Sequence, residues 1–566
     1  MPLQYTQILG EIDLNVFVFT MVDQKTLAQY LGSEEYHRED VLRALRGEKL
    51  PEHLGYPLIK LCIIRGILHS ASFAEGEAAP LRGLPEHPEF TRALNARAIM
   101  SNRIPDMDPA ERPEELPYCI WYPTVASEDT YRQLSKKCPQ MRYQVARACA
   151  VAGYTDLYLE LEDVLPEVAV AEEARAAGSI SIFNHIMAKP VRYKVFDDYY
   201  RTVNLESPQT APLNGDTCVL SMVESQKQAF RKPTIPDDDD IFTYFADDGF
   251  KEMMYNITED QGITESVPDS EPPVLSSADL MLDLLTWPLP ADLPAGNKDL
   301  LILTAAYYGN IDRYTRLRRP KVLKDEIFCV VRGIYHNSLF ALWWERQQNP
   351  PEGEPFHMPH WQHIERAITA RHIMNNDLSR VIDKMDDKNC LPYLIWYPEF
   401  AAPETYRALA EKIPAMREAC ARAAIYTGNV GLFDELMALP GVVPNPYLAA
   451  EAKQSNNPYF CSALQSRAED MGVSLLPLSL GSGGEPYEPW KLVSVRGSSV
   501  MMKWNGLLRS PRVGMVTGEF LEQEAVYNGT RAEATQLELF LMVPESWRPQ
   551  DRYAVELDYK DWPLSW

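Results

Sequence analysis

Short helical periods of small and apolar residues recur along the chain, each interrupted by Gly, Asn or His. Examples are "LTAAYYGNIDRYTRL" from Leu303, "VVRGIYHNSLFALWW" from Val330 and "RAAIYTGNVGLFDEL" from Arg422. Each stretch predicts a helix, a two-residue break and a second helix, because the apolar positions follow the 3.6-residue period on both sides of the break. The Gly or Asn permits a left-handed residue at the turn. One such pair cannot bury its apolar face alone, so the pairs are expected to stack.

Several of these blocks occur twice in the same order. "LPYCIWYPTVASEDTYRQL" from Leu116 returns as "LPYLIWYPEFAAPETYRAL" from Leu391, and "CIIRGILHSASFA" from Cys62 returns as "CVVRGIYHNSLFA" from Cys329. A fainter match pairs the segment from Asp13 with the segment from Asp299. Ordered self-similarity of this kind predicts a tandem duplication.

The unit "LLILTAAYYGNIDRYTRL", from Leu300 to Leu317, resembles the ankyrin repeat in its L-x-x-A-A-x-x-G portion. The chain departs from that family because it has no T-P-L-H turn and its turn markers are unevenly spaced. The blocks are also similar to those of uncharacterised ankyrin-like proteins of filamentous fungi. The resemblance implies ankyrin-like helical pairs with long inserted loops.

The predicted fold is therefore mainly α, with two duplicated ankyrin-like helical-repeat halves. The first half is assigned to residues 1–190 and the second to 286–470. Between them, 191–285 includes the run "PDDDDIFTYFADD" and predicts an acidic, partly disordered linker. Segments such as "KLVSVRGSSVMMKW" alternate β-formers after the repeats, so 471–566 is predicted as a small β-rich module.

The net charge of −25, from 55 basic and 80 acidic residues, narrows the classes of partner. Such a field repels phosphate backbones and anionic lipid, which argues against nucleic acid and membrane surfaces. No uninterrupted apolar run approaches the roughly 20 residues of a membrane span. The nine cysteines are scattered without a C-x-x-C motif, which favours a reducing compartment and predicts a cytoplasmic location.

The repeated aromatic block "PY-IWYP" has two interpretations. Tyr118, Trp121 and Tyr122, and their counterparts Tyr393, Trp396 and Tyr397, are expected to form a wedge that fills a junction between repeats. The alternative is an aromatic ligand platform built on Trp121 and Trp396.

Arginines recur at the same positions of both halves, and they too leave two interpretations open. An arginine in an apolar helix needs a partner for its charge, so each is expected to tie a helix C-terminus or a carboxylate of the neighbouring repeat. Alternatively, Arg332, His336 and Arg371 bind an anionic ligand, and Arg65 with His69 repeat that group in the first half. The recurring pairs are Arg65/Arg332, Arg92/Arg366, Arg97/Arg371, Arg132/Arg407, Arg142/Arg417 and Arg147/Arg422.

Two weaker patterns suggest metal ions. Asp237 and Asp238, taken with Asn375, Ser379 and Asp383, resemble the aspartate-rich and N-x-x-x-S-x-x-x-E motifs of class I terpene synthases, although Asp383 replaces the usual Glu. The resemblance implies Mg²⁺ held against a diphosphate, and the i, i+4, i+8 spacing would place three oxygens on one helix face. His357, His360 and His363, with His372 further on, offer an alternative zinc site.

These observations give two hypotheses of different classes. The first is an intracellular, non-enzymatic repeat protein without a cofactor, whose partner is a protein or peptide. The alternative is an enzyme of specialised metabolism with a pocket between the halves and a small-molecule ligand, Mg²⁺-dependent and acting on a diphosphate. The sequence has no Walker loop, no G-x-G-x-x-G after a strand and no H-E-x-x-H motif that would assign a reaction.

Overall fold

The computed structural model describes two compact units that are rich in helices. The first unit comprises Met1–Ser270 with Ala291–Ala295, and the second comprises Glu271–Pro290 with Gly296–Trp566. The helical content confirms the prediction of a mainly α protein. Within the described ranges, no helix is long and apolar enough to cross a membrane. The structure describes residues 30–31, 37–54, 57–161, 163–198, 201–215, 283–285, 287–295, 298–319, 322, 326–350, 358, 361–383, 391–455 and 457–475.

In the first unit, helices pack as successive short pairs. The helices are α1 (Arg38–Arg46), α2 (Pro57–His69), α3 (Ala71–Glu75), α4 (Pro88–Met100), α5 (Glu128–Lys137), α6 (Arg142–Ala152), α7 (Thr155–Glu160), α8 (Val168–Ala177) and α9 (Ile180–Met187), with 3₁₀ turns at Ala79–Leu81, Pro113–Glu115 and Pro139–Met141. Helix α2 contacts α1 and α4, and α8 contacts α6 and α9.

Two small antiparallel ribbons follow α9. Strand β1 (Tyr193–Lys194) pairs with β4 (Gln209–Thr210), and Tyr193 faces Thr210. Strand β2 (Phe196–Asp197) pairs with β3 (Thr202–Val203), and Phe196 faces Val203. Strand β1 also packs against α8.

These ribbons correct the predicted domain boundary at residue 190. Val195, Phe196 and Leu213 are only 1–2% exposed and belong to a core that extends from Ile99 to Leu213. The chain therefore continues as packed structure of the first unit well into the predicted linker 191–285. The strands of this segment are only two residues long, which is too short a pattern to predict packed structure from the sequence. The acidic run at 237–240 lies outside the described residues.

In the second unit the same pairing of helices is seen. Helix α12 contacts α10 and α14, α17 contacts α16, α18 and α19, and α19 contacts α20. The helices are α10 (Asp299–Tyr307), α11 (Ile311–Leu317), α12 (Glu326–His336), α13 (Ser338–Glu345), α14 (Trp361–Met374), α15 (Ser379–Asp383), α16 (Pro403–Lys412), α17 (Arg417–Thr427), α18 (Val430–Met437), α19 (Pro446–Gln454) and α20 (Pro458–Met471), with a 3₁₀ turn at Pro414–Met416. The predicted β-rich module at 471–566 lies outside the described residues from 476 onwards.

Close approach of neighbouring helices requires a glycine in each "RGI" block. A Cβ atom on Gly66 would lie 2.1 Å from the carbonyl oxygen of Ala44, and one on Gly333 would lie 2.1 Å from that of Ala306. Only a residue without a side chain fits there. By these contacts, α10 has the position in the second unit that α1 has in the first. The faint sequence match instead aligned the segment from Asp299 with the segment from Asp13.

Candidate functional site: two buried arginine clusters

Arg147 is the centre of a buried polar cluster in the first unit. It lies on α6, within the small-residue helix "VARACAVA", and its side chain is fully buried. Its Nη1 donates to Asp198 Oδ1 at 2.6 Å and its Nη2 to Asp198 Oδ2 at 2.8 Å. Nη2 also donates to Glu173 Oε1 of α8 at 3.1 Å. The forked geometry of guanidinium and carboxylate makes the Arg147–Asp198 pair bidentate.

Aromatic rings enclose this guanidinium. Its central carbon lies 5.0 Å from the Trp121 ring centroid and 4.9 Å from that of Phe196. The hydroxyl of Tyr118 donates a hydrogen bond to Asp198. A cation between ring faces gains electrostatic energy when water is excluded, so the rings and carboxylates stabilise the same charge. We call Arg147, Glu173, Asp198, Tyr118 and Trp121 the first arginine cluster.

A third carboxyl group, Glu167, lies beside the first arginine cluster and caps α8. Its Oε2 accepts from the Val170 amide at 2.8 Å, and its Oε1 accepts from Val195 and Phe196 at 3.1 and 3.3 Å. Burial raises the pKa of Glu167 to about 7, against the opposing effects of Arg147 and the three amides. For Arg147, burial alone would lower the pKa, but Asp198 and Glu173 outweigh it and the pKa is raised.

The second unit contains a corresponding arrangement around Arg422 of α17. Arg422 Nε donates to Glu451 Oε2 of α19 at 2.6 Å, and both side chains are 1% exposed. Its Nη1 donates to the Tyr393 hydroxyl at 2.9 Å, and its guanidinium carbon lies 5.3 Å from the Trp396 ring centroid. Arg422, Tyr393 and Trp396 occupy the positions of Arg147, Tyr118 and Trp121 in the repeated blocks. We call Arg422, Glu451, Tyr393 and Trp396 the second arginine cluster.

Both clusters place the repeated aromatic block in the interior. Trp121 is 2% exposed and Trp396 is 3% exposed, so each indole is covered by protein. This burial supports the interpretation of the block as a wedge between repeats. A ligand-platform role for Trp121 and Trp396 stays a prediction.

Four other repeated arginines bind helix C-termini. Arg332 Nη1 donates to the Tyr307 carbonyl oxygen at 2.8 Å, and Arg371 Nη1 donates to that of Tyr335 at 2.9 Å. These acceptors lie at the ends of α10 and α12, where carbonyl groups lack helical partners. At these contacts the expected bonds from the arginines to helix C-termini are present, and the interpretation that they join neighbouring repeats stays a prediction. In the first unit, Arg65 donates to Leu45 O and Arg97 to Leu68 O.

The structure brings the histidines of the proposed anion site against tyrosines. The rings of His336 and Tyr397 meet edge-on with centroids 5.6 Å apart, and those of His69 and Tyr122 do so at 5.7 Å. Arg371 reaches the carbonyl of the residue before His336. Anion binding by Arg332, His336 and Arg371, or by Arg65 and His69, stays a prediction.

The proposed metal face is not formed. Helix α14 ends at Met374, Asn376 adopts a left-handed φ of 66°, and a separate helix begins at Ser379. Asn375, Ser379 and Asp383 therefore do not share one continuous helix, and the predicted i, i+4, i+8 face is wrong. The i, i+4 spacing places two residues on one face only within a continuous helix, and a turn interrupts the helix here. Asp237 and Asp238 lie outside the described residues.

The two described histidines of the histidine pattern, His363 and His372, do not form a metal site with other side chains of the described residues. His363 is 1% exposed, and His372 Nδ1 lies 3.0 Å from Asp377 Oδ2. His357 and His360 lie outside the described residues. In the part of the chain that the structure describes, no group of three or more His, Cys, Asp or Glu side chains could hold a metal ion.

Sequence reasoning missed the carboxylates of both clusters. Glu173 and Glu451 sit in Ala-rich helices at matching places, and Asp198 lies 51 residues beyond Arg147 in "KVFDDYY". An arginine between small apolar residues signals that a buried acidic partner exists, because an unpaired buried charge is strongly unfavourable. That signal does not say which of many acidic residues supplies the partner.

One family model matches the region that contains most of the first arginine cluster. Residues 121–225 match the family model described as the YKP1 C-terminal domain. The "Uncharacterized killer plasmid pGKl-2 protein 1" of Kluyveromyces lactis is 24% identical over 144 residues, a match that covers 24% of this chain and 61% of that protein. The chain thus spans less than two thirds of this relative. No solved structure matches the chain.

Proposed function

We propose that the protein is a helical-repeat scaffold, built from two duplicated ankyrin-like halves, that binds a protein or peptide partner. The observation that supports this proposal is that repeated arginines bind backbone carbonyl groups of the protein itself. Arg65, Arg97, Arg332 and Arg371 each donate to a carbonyl at the end of a preceding helix. These four arginines therefore hold neighbouring helices together.

Further contacts that recur in both units support the duplicated architecture. The Tyr131 hydroxyl donates to Ile120 O at 2.7 Å, and the Tyr406 hydroxyl donates to Ile395 O at 2.8 Å. Each of these hydroxyls also accepts from the backbone amide five residues earlier. Repeat proteins present extended surfaces to partners, and a surface of this kind is the functional part of the proposal.

The diphosphate-enzyme alternative lacks the continuous helix face that its metal motif implied, and it stays the competing prediction for the test below. A reducing, cytoplasmic location remains part of the proposal. It is supported by buried free thiols such as Cys149 and Cys420, whose pKa values burial raises, so that these thiols resist ionisation.

A peptide-display selection on the purified full chain tests the proposal. We expect peptides that bind saturably by calorimetry and raise the melting temperature by mass action. A parallel thermal-shift screen with Mg²⁺, pyrophosphate and prenyl diphosphates should give no stabilisation. If no peptide bound saturably and Mg²⁺ with a diphosphate stabilised the protein, the enzyme hypothesis would replace the scaffold hypothesis.

A further inference from the structure

Three exposed apolar side chains of the second unit lie on two segments that contact the same arginine, Arg371. Leu339 and Leu342 are 67% and 40% exposed and lie three residues apart on α13, hence on the same helix face. Phe400, in the loop before α16, is 54% exposed. We call Leu339, Leu342 and Phe400 the apolar edge.

One guanidinium joins the two parts of this edge. Arg371 Nε donates to Ser338 Oγ at 2.9 Å, and its Nη2 donates to Glu399 Oε2 at 2.9 Å. Ser338 precedes Leu339 in the chain and Glu399 precedes Phe400. The two segments that carry the apolar edge are therefore tied together through a side chain that is 6% exposed, which reduces the ordering that binding of a partner requires.

The first unit has polar residues at both leucine positions of the apolar edge. "ASFAE" stands where the second unit has "SLFAL", so Ser72 and Glu75 replace Leu339 and Leu342. The alignment is fixed in space because Phe73 lies beside Gly66 in the same way that Phe340 lies beside Gly333.

The third position shows the same contrast. Val125 of "YPTV" stands where the second unit has Phe400 of "YPEF". Val125 is 40% exposed and presents a much smaller apolar surface. Folding of these turns thus does not require the larger apolar side chains, and their exposure in the second unit points to an interaction surface.

In three ion pairs near the apolar edge, the carboxylate is more exposed than its basic partner. The side chain of Arg371 is 6% exposed, whereas that of its partner Glu399 is 61% exposed. His372 is 13% exposed against 47% for Asp377. Arg380 is 10% exposed against 31% for Glu345. In these three pairs solvent therefore meets the carboxylate before the basic group, and the exposed Arg346 at the end of α13 is a single cation beside three outward carboxylates.

This acidic border is also particular to the second unit. Thr124 and Arg103 of the first unit occupy the positions of Glu399 and Asp377. Arg103 forms an exposed ion pair with Glu75 there. Apolar character and acidic character thus change together at one edge, as expected for a surface that recognises one kind of partner.

We propose that the apolar edge and its carboxylate border bind a basic segment of another protein that carries apolar anchor residues. A second copy of this chain is a poor occupant, because each copy carries a net charge of −25. The proposal rests on the proposed function, since it names the partner class and the surface of the same scaffold.

The test exchanges the apolar edge for the residues that the first unit uses. The variant carries Leu339→Ser, Leu342→Glu and Phe400→Val in the full chain, and the control carries Val443→Ser, which alters another exposed apolar residue of the second unit. The probes are a short helical peptide of Leu and Lys with Leu at i, i+3 and i+4, and the same peptide with Glu for Lys. Affinity is measured by fluorescence anisotropy at two salt concentrations.

We expect the Lys peptide to bind the native chain and the control alike, and to bind the triple variant at least about tenfold more weakly. Binding should weaken with salt, and the Glu peptide should not compete. Equal affinity for the triple variant, binding of the Glu peptide, or no binding of the Lys peptide would each overturn the proposal. Display-selected peptides that bind native chain and triple variant equally would overturn the apolar edge alone and leave the scaffold function standing.

Discussion

Asp198 and Arg147 form a two-point ion pair that joins the β2 region to α6 across 51 residues of chain, with 1% and 0% of their side chains exposed. The pair closes the core of the first unit over the aromatic block. Because Asp198 follows the last predicted helix of the first half, this contact makes the segment after residue 190 a part of the fold.

Asp198→Asn should destabilise the first unit by about 3 kcal/mol, because it removes one charge of a buried pair and leaves the Arg147 guanidinium undercompensated. Urea unfolding followed by circular dichroism measures the change. Asp197→Asn is the matched control, since Asp197 is the neighbouring residue and its 3.4 Å pair with Lys194 is partly exposed. A loss for Asp198→Asn no larger than that of the control would show that the pair does not close the core.

Arg422→Met should destabilise the second unit by about 3 kcal/mol, because it leaves Glu451 buried without its cation. The control is Arg407→Met, on α16 seven residues before the 3₁₀ turn at Pro414–Met416. It removes an exposed pair with Glu435 and should leave the unfolding midpoint unchanged. Thermal unfolding of the two variants side by side provides the comparison. Equal midpoints would argue against a structural role for the second arginine cluster.

The stability of the first unit should depend on pH through Glu167. Burial raises the pKa of this group from 4.5 to about 7 in the folded state, so the folded chain holds a proton that the unfolded chain releases. Its contribution is fully present below pH 4.5 and is lost as the pH rises through about 7.

Glu167→Gln removes that titration. The free energy of unfolding of the variant relative to the native chain should therefore rise between pH 5 and pH 8, by on the order of 3 kcal/mol. The same difference for the exposed Glu111→Gln should stay flat over this range. A flat difference for Glu167→Gln as well would mean that Glu167 is ionised throughout.

Asn376 should stabilise its turn in two separable ways. Its φ of 66° is left-handed, and its Oδ1 accepts from the Ala402 amide at 2.7 Å and from Thr405 Oγ1 at 2.9 Å. Asn376→Gly keeps the backbone freedom and loses the hydrogen bonds, at a cost of about 1–2 kcal/mol. Asn376→Ala also strains the backbone and should cost about 1 kcal/mol more.

Denaturant titration of both Asn376 variants distinguishes the two effects. Asn102 of the first unit has a φ of 63° and accepts from Ser127 N and Thr130 Oγ1, so it should show the same order of losses. Equal losses for Gly and Ala at either position would contradict a role for the left-handed backbone.

Local patterns in the sequence were sufficient to predict the helices and their breaks. The left-handed turns at Gly309 and Gly428 follow directly from glycines placed between two apolar-periodic stretches. The arginine ties could also be predicted, because a charge at a fixed place in an apolar helix must meet the neighbouring helix end. The prediction of a continuous helix through Asn375 and Asp383 was wrong for a local reason, because Asn376 adopts the left-handed conformation that its side chain tolerates.

What the sequence determined by itself was thus the helical character, the repeated blocks and the need of each buried arginine for a partner, all of which depend on residues near one another in the chain. Only the tertiary structure decided that Asp198, Glu173 and Glu451 meet those arginines, and that Leu339, Leu342 and Phe400 share an exposed edge. Such contacts join residues tens of positions apart, and many alternative pairings satisfy the same local chemistry. Packing of the helices and ribbons selects one of them.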